Sequence, residues 1–117
     1  MDGLLNYEKE ERPWGDFERF TLNEKTTVKI IAVKAGEAFS LQTHKHRDEF
    51  WRVLKGSGTV RINERDYDAK EGDTFFSPRG TQHRVTGGTG GIVFLEIAFG
   101  DFDEGDIKRL EDKYGRA

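Results

Sequence analysis

Short runs of β-branched and aromatic residues, each closed off by glycine or by a charged turn, set the rhythm of this chain. Thr26 to Val33 alternates as a half-buried strand does, with Val28, Ile30 and Ala32 on one face. Lys34-Ala35-Gly36-Glu37 reads as a turn and Phe39 to His46 as a further extended stretch. Phe50 to Leu54, Thr59 to Ile62, Asp66 to Ala69, Thr74 to Ser77, His83 to Thr86 and Ile92 to Phe99 continue the series. Between them lie turn signals at Lys55–Gly58, Asn63–Arg65, Glu71–Asp73 and Pro78–Gly80. The tract Gly87-Gly88-Thr89-Gly90-Gly91 is expected to be a mobile rim loop. Strands recurring at roughly 8–12 residues with glycine turns predict an all-β sandwich or barrel. Only the tail departs from this pattern. Ile107, Leu110 and Tyr114 fall at helical spacing, which predicts a short amphipathic helix over Asp106 to Tyr114, packed outside the barrel.

With 117 residues, one domain is expected over 1–117: a barrel core of about 26–100, an N-terminal arm 1–25 and a tail 101–117. Charged residues make up 35% of the chain and hydrophobic ones 34%, so the core has to be economical. A closed sheet suits that balance because it removes exposed edges. The net charge of -3 offers no general attraction to nucleic acid or to an anionic membrane. No apolar run is long enough to span a bilayer, and Met1 to Arg12 is too polar for a signal peptide, so a cytoplasmic location is expected. The absence of cysteine excludes disulfides and thiolate ligands, so any metal must take nitrogen and oxygen donors. Pro13 and Gly15 are expected to fix the entry to the first strand, with Trp14 packed as a plug.

The three histidines fall in two glycine-bounded stretches. Gly36 to Gly56 holds Gln42, His44, His46 and Glu49, and Gly72 to His83 ends on the third histidine. Residues two apart on a strand face the same side, so Gln42, His44 and His46 are expected to share a face. Glu49 lies where the chain can return to the same cavity, and His83 can close the site from a distant strand. Converging imidazole and carboxylate groups are what a divalent ion needs to exchange several waters at once. One divalent metal is therefore expected, zinc first, with Mn, Fe, Co and Ni accepting the same donors.

These stretches resemble the paired motifs of the cupins. Gly72, Pro78, Gly80 and His83 match the second motif, with Gly87 at its usual asparagine. Gly36, Gln42, His44, Glu49 and Gly56 match the first when Gln42 takes the first histidine position. The resemblance implies a double-stranded β-helix, a jelly-roll barrel, with Gln42, His44, Glu49 and His83 as ligands and His46 as the alternative to Gln42. The chain from about Arg12 to Arg116 is also similar to the isomerase domain of type II phosphomannose isomerase/GDP-mannose pyrophosphorylases. That similarity is carried by Arg12-Pro-Trp-Gly15, by Leu41-Gln-Thr-His-Lys-His-Arg-Asp-Glu49 with Trp51, by Pro78-Arg-Gly-Thr-Gln-His-Arg84 and by the ending Asp106 to Arg116. No nucleotidyltransferase segment accompanies it, Phe50 stands where that family usually has histidine, and Ala98 replaces a common polar residue.

The resemblance implies metal-dependent interconversion of mannose 6-phosphate and fructose 6-phosphate, and a homodimer. Such an isomerisation needs a base near the operating pH, for which His46 and Glu96 are candidates. Glu96 sits between Leu95 and Ile97, where burial raises a carboxyl pKa. A phosphorylated sugar also needs fixed positive charge, and Arg47, Arg79 and Arg84 flank the motifs. Arg116 is added only by the family's ending. A non-catalytic sugar-binding cupin and an iron-dependent dioxygenase fit the same ligand set, and the arginines favour a phosphorylated ligand.

Overall fold

Two strands longer than any run in the sequence pattern organise the molecule. The computed structural model describes residues 3–112 and 114–115. In chain order its strands are β1 (Glu8–Arg12), β2 (Gly15–Arg19), β3 (Thr26–Val33), β4 (Leu41–Thr43), β5 (Arg47–Ile62), β6 (Arg65–Lys70), β7 (Thr74–Ser77), β8 (His83–Gly100) and β9 (Lys108–Glu111). β5 and β8 pair antiparallel along their whole length, from Arg47 opposite Gly100 to Ile62 opposite His83. The ladder shifts register between Val53 and Lys55 and again between Gly56 and Gly58, so the ribbon bends there. Both strands serve two sets of neighbours. β7 lies on the first half of β5 and β6 on the second, while β3 lies on the second half of β8 and β4 on the first. The fold is an all-β double-stranded β-helix.

The glycine tract is not a rim loop. Gly87 to Gly91 continues β8, and the bare backbones of Gly87, Gly88 and Gly91 pack where side chains have no room. At the β5–β6 hairpin tip, Asn63 takes φ 56°, a left-handed conformation that asparagine tolerates.

Alternation along β5 sends neighbouring residues to two different cores. Trp51 and Val53 enter the barrel with Val33, Val60, Ala69, Val85, Ile92 and Phe94. Phe50 turns the other way, packing with Leu4 and Ile97 under Tyr7, Phe20 and Phe76. The N-terminal arm thus covers the outer face of the sheet. Its β1–β2 hairpin stands apart from the main sheet and carries Trp14 at its tip, 73% exposed rather than plugged into the core. On β3 the Val28 and Ile30 face looks outward, and Val33 and Ile31 face the interior core.

The expected C-terminal helix is replaced by β9. A two-turn apolar pattern is too short to hold a helix by itself, and β4 offers a free edge. β9 takes that edge, with Leu41 opposite Glu111, Gln42 opposite Arg109 and Thr43 opposite Lys108. Among the described residues no helix is long and apolar enough to cross a membrane.

Trp51 is the largest side chain fully enclosed in the barrel. Its ring packs at 5.0 Å from His83 and 5.7 Å from Phe94, and its Nε1–H donates to Glu96 Oε1 at 3.3 Å. Trp51→Ala is expected to lower the unfolding free energy by about 3–5 kcal/mol. The midpoint of urea denaturation checks this; a loss below about 1 kcal/mol would contradict the packing role.

Candidate metal centre

Three segments deliver side chains to one end of the barrel interior. His44 follows the last residue of β4, Glu49 sits near the start of β5, and His83 opens β8. One ligand atom from each lies within 4.8 Å of the other two. His44 Nε2 and His83 Nε2 are 3.1 Å apart, His44 Nε2 is 3.4 Å from Glu49 Oε2, and His83 Nε2 is 3.5 Å from Glu49 Oε1. All three residues are buried, Glu49 with only 1% of its surface exposed.

The partners of these groups fix how they present themselves. His44 Nδ1–H donates to the Asp106 carbonyl at 2.6 Å, which leaves Nε2 as the lone-pair nitrogen. His83 Nδ1 is paired with Ser77 Oγ at 2.9 Å. Burial, and then the adjacent His44 and Arg47, push the His83 pKa down to about 3, and burial lowers that of His44 against the pull of the Asp106 carbonyl. Both rings are therefore neutral at neutral pH, the state a metal ligand requires. Two neutral imidazole nitrogens at 3.1 Å need a proton or a cation between them. Glu49 Oε1 is a buried carboxylate oxygen with no hydrogen bond of ordinary geometry. Such an oxygen is costly to leave unpaired. The donor set therefore fits a divalent ion bound through two nitrogens and a carboxylate.

Glu96 lies behind this group. Its backbone is paired with that of Trp51, and its side chain receives the indole N–H. Burial first, then the Glu49 carboxylate beside it, raise its pKa to about 7. Arg47 also enters the site. Its Nε–H donates to Glu49 Oε2 at 2.8 Å, and its guanidinium is stacked 4.4 Å from the Phe102 ring centre.

The remaining candidates have different settings. β4 ends at Thr43 and the chain bends at Lys45 and His46, so the alternation that would align His46 with His44 is broken. His46 is exposed and lines a shallow depression with Asp101, Asp103, Gly105 and Asp106. Gln42 is partly buried, paired by backbone with His83, and its Oε1 accepts from Ser40 Oγ at 3.4 Å. Arg79 is held at the surface by Asp48, and Arg84 donates to the carbonyls of Phe39 and Glu111. Arg116 lies outside the described residues. Phe50 faces the outer core, so this departure from the family pattern does not touch the cluster, whereas Ala98 is buried opposite Glu49.

Two residues that the sequence pattern does not single out shape the site. Ser77 orients His83, and its signal was its place two residues beyond inward Phe75 on the same strand. Asp106 binds His44 by its carbonyl and the Lys45 and His46 N–H groups by its carboxylate. An aspartate after a glycine turn is a usual clamp on nearby backbone N–H groups.

The chain is similar to known proteins over nearly all of its described residues. Residues 3–112 match the family model described as mannose-6-phosphate isomerase C-terminal. A mannose-1-phosphate guanylyltransferase of Klebsiella pneumoniae is 38% identical over 107 residues, covering 90% of this chain and 23% of that protein. The alginate biosynthesis protein AlgA of Pseudomonas aeruginosa is 36% identical over 107 residues, covering 90% and 22%. The chain thus spans less than a quarter of the length of these relatives. Among solved structures, oxalate decarboxylase from Bacillus subtilis superposes with a TM-score of 0.67 and 28% identity, over 74% of this chain and 24% of that one. A cupin protein from Bacteroides fragilis shares the fold with a TM-score of 0.61 at 20% identity, over 73% and 76% of the two chains. With the family model covering nearly every described residue, the chain belongs to the mannose-6-phosphate isomerase C-terminal family, a cupin domain.

Proposed function

We propose that this chain is a metal-dependent sugar-phosphate isomerase that interconverts mannose 6-phosphate and fructose 6-phosphate. The observation that carries the reading is the convergence of His44, Glu49 and His83 beside buried Glu96 in a chain of this family. His44, Glu49 and His83 would hold the ion, and Gln42, whose backbone pairs with that of His83, would be the fourth protein donor. Zinc is the first choice for two imidazoles and a carboxylate. When bound, the ion supplies Lewis-acid polarisation of a sugar oxygen.

The remaining work falls to the chain's own groups. Glu96 accepts the proton from C2 of the aldose and returns it to C1, while the hydroxyl proton passes from O2 to O1. Burial raises the Glu96 pKa, which makes its carboxylate a stronger base than a solvated one. Trp51 holds Glu96 by its indole N–H, and the apolar wall of Trp51 and Phe94 excludes bulk water. Asp106 and Ser77 keep the two imidazoles turned toward the site.

A second reading, a sugar-binding cupin without turnover, draws support from the arginines. Arg79 and Arg84 are each engaged with protein groups, so the flanking guanidiniums do not form one anion cluster. Elemental analysis of the purified protein, followed by an assay on mannose 6-phosphate with and without chelator, separates the two. Metal-dependent formation of fructose 6-phosphate is expected. Bound metal without turnover would favour the binding protein.

A further inference from the structure

Arg47 is a buried cation that the isomerase reading leaves without a task. Its side chain comes from the first residue of β5 and folds back into the site. Nε–H donates to Glu49 Oε2 at 2.8 Å, and the terminal NH2 group lies 3.3 Å from His44 Nε2. The other terminal nitrogen donates to the Asp103 carbonyl at 3.1 Å, and Phe102 covers the guanidinium face. Arg47 therefore engages two of the three groups placed to hold an ion, and it does so through the very atoms that face the other ligands, His44 Nε2 and Glu49 Oε2.

The contact with His44 excludes a metal, and the one with Glu49 opposes it. The lone pair on His44 Nε2 can accept an N–H or bind an ion, not both. A guanidinium left against Glu49 would also place a single positive charge beside a double one, in a site too buried for water to screen them. We infer that Arg47 competes with divalent metal for His44 and Glu49 and withdraws when the ion enters. Arg47 thereby sets the metal affinity. The Phe102–Asp103 segment is the latch that holds it in place, through the stacked ring and the carbonyl.

The inference rests on the reading of His44, Glu49 and His83 as a metal site, and the test separates the two. Zn²⁺ affinity is measured by competition with a chromophoric chelator for the wild type, Arg47→Gln and the double variant Arg47→Gln/His83→Leu. Arg47→Gln is expected to bind Zn²⁺ at least about tenfold more tightly than the wild type, and the double variant to lose that gain. Wild-type binding with an equal or weaker affinity in Arg47→Gln overturns the competition while leaving the metal site standing. Absence of binding in all three proteins overturns both. Because removing Arg47 leaves Glu49 buried without its partner, a measurement on the wild type keeps the test independent of that variant's folding. The Arg47 Nε–H resonance, protected from solvent exchange without metal, is expected to shift and lose protection on Zn²⁺ saturation. An unchanged, protected resonance in the loaded protein overturns the inference.

Discussion

Replacing His83 with leucine is expected to yield a folded protein that retains no divalent metal after purification, whereas Lys45→Ala retains it fully. Leucine approximates the volume of the ring and keeps the apolar contacts with Trp51 and Phe39, but it removes the only nitrogen that β8 contributes to the cluster. His44→Ala should have the same effect on metal. Lys45 points outward, and its contribution to the site is a backbone N–H bonded to Asp106, which alanine preserves. The loss in affinity should exceed the about 10–100-fold typical of substitutions in groups that merely orient a ligand. It also appears in stability. An ion present at about 1,000 times its Kd adds about 4 kcal/mol to folding, so added Zn²⁺ should raise the Tm of the wild type and of Lys45→Ala but not of His83→Leu. Metal content and melting temperature with and without chelator check this. Equal metal content in the three proteins would remove these residues from the coordination sphere.

The ligand candidates were legible in the sequence because they follow from spacing inside turn-bounded strands, and spacing survives folding. His44, Glu49 and His83 meet although 39 residues separate the two histidines in the chain. What was not legible depended on contacts between segments. His46 looked equivalent to His44 by alternation, but alternation holds only while the strand continues, and β4 stops at Thr43. The tail looked helical because Ile107 and Leu110 have helical spacing, yet two helical turns do not hold by themselves and the edge of β4 pairs with Lys108–Glu111 instead. Arg47 looked like a phosphate group's partner, since nothing local says that its guanidinium folds back onto Glu49 two residues away. Trp14 looked like a plug because aromatic size usually means burial, but it stands at a hairpin tip with no sheet beneath it. The all-β class was secure throughout, because it rests on many short runs at once and one misjudged turn does not alter it.

Gly58→Ala is expected to cost about 3 kcal/mol or more in stability, while Gly90→Ala, in a neighbouring glycine tract, changes it by no more than about 0.5 kcal/mol. A Cβ on Gly58 would lie 2.1 Å from the Thr86 carbonyl oxygen, and one on Gly87 would lie 2.2 Å from that of Lys34. Both obstacles are backbone atoms, which cannot rotate aside as a side chain can. A Cβ on Gly90 meets nothing within 4 Å. This corner also has consequences for the metal centre. In the β5–β8 ladder Glu49 is paired with Ala98 and His83 with Ile62, at opposite ends of the ribbon. An unbent strand would carry the thirteen steps from Glu49 to Ile62 over about 40 Å, yet Glu49 Oε1 and His83 Nε2 are 3.5 Å apart. The ribbon must therefore fold over between them, and the register shifts at 53–58 opposite the glycines of β8 are where it does so. Opening that corner with a methyl group should loosen the approach of Glu49 to His83, so Gly58→Ala should lose Zn²⁺ affinity as well as stability. Gly90→Ala should lose neither. Denaturant midpoints and chelator competition on the two variants decide the matter, and a Gly58→Ala protein as stable and as metal-avid as Gly90→Ala would show that the bend does not depend on bare backbone at this position.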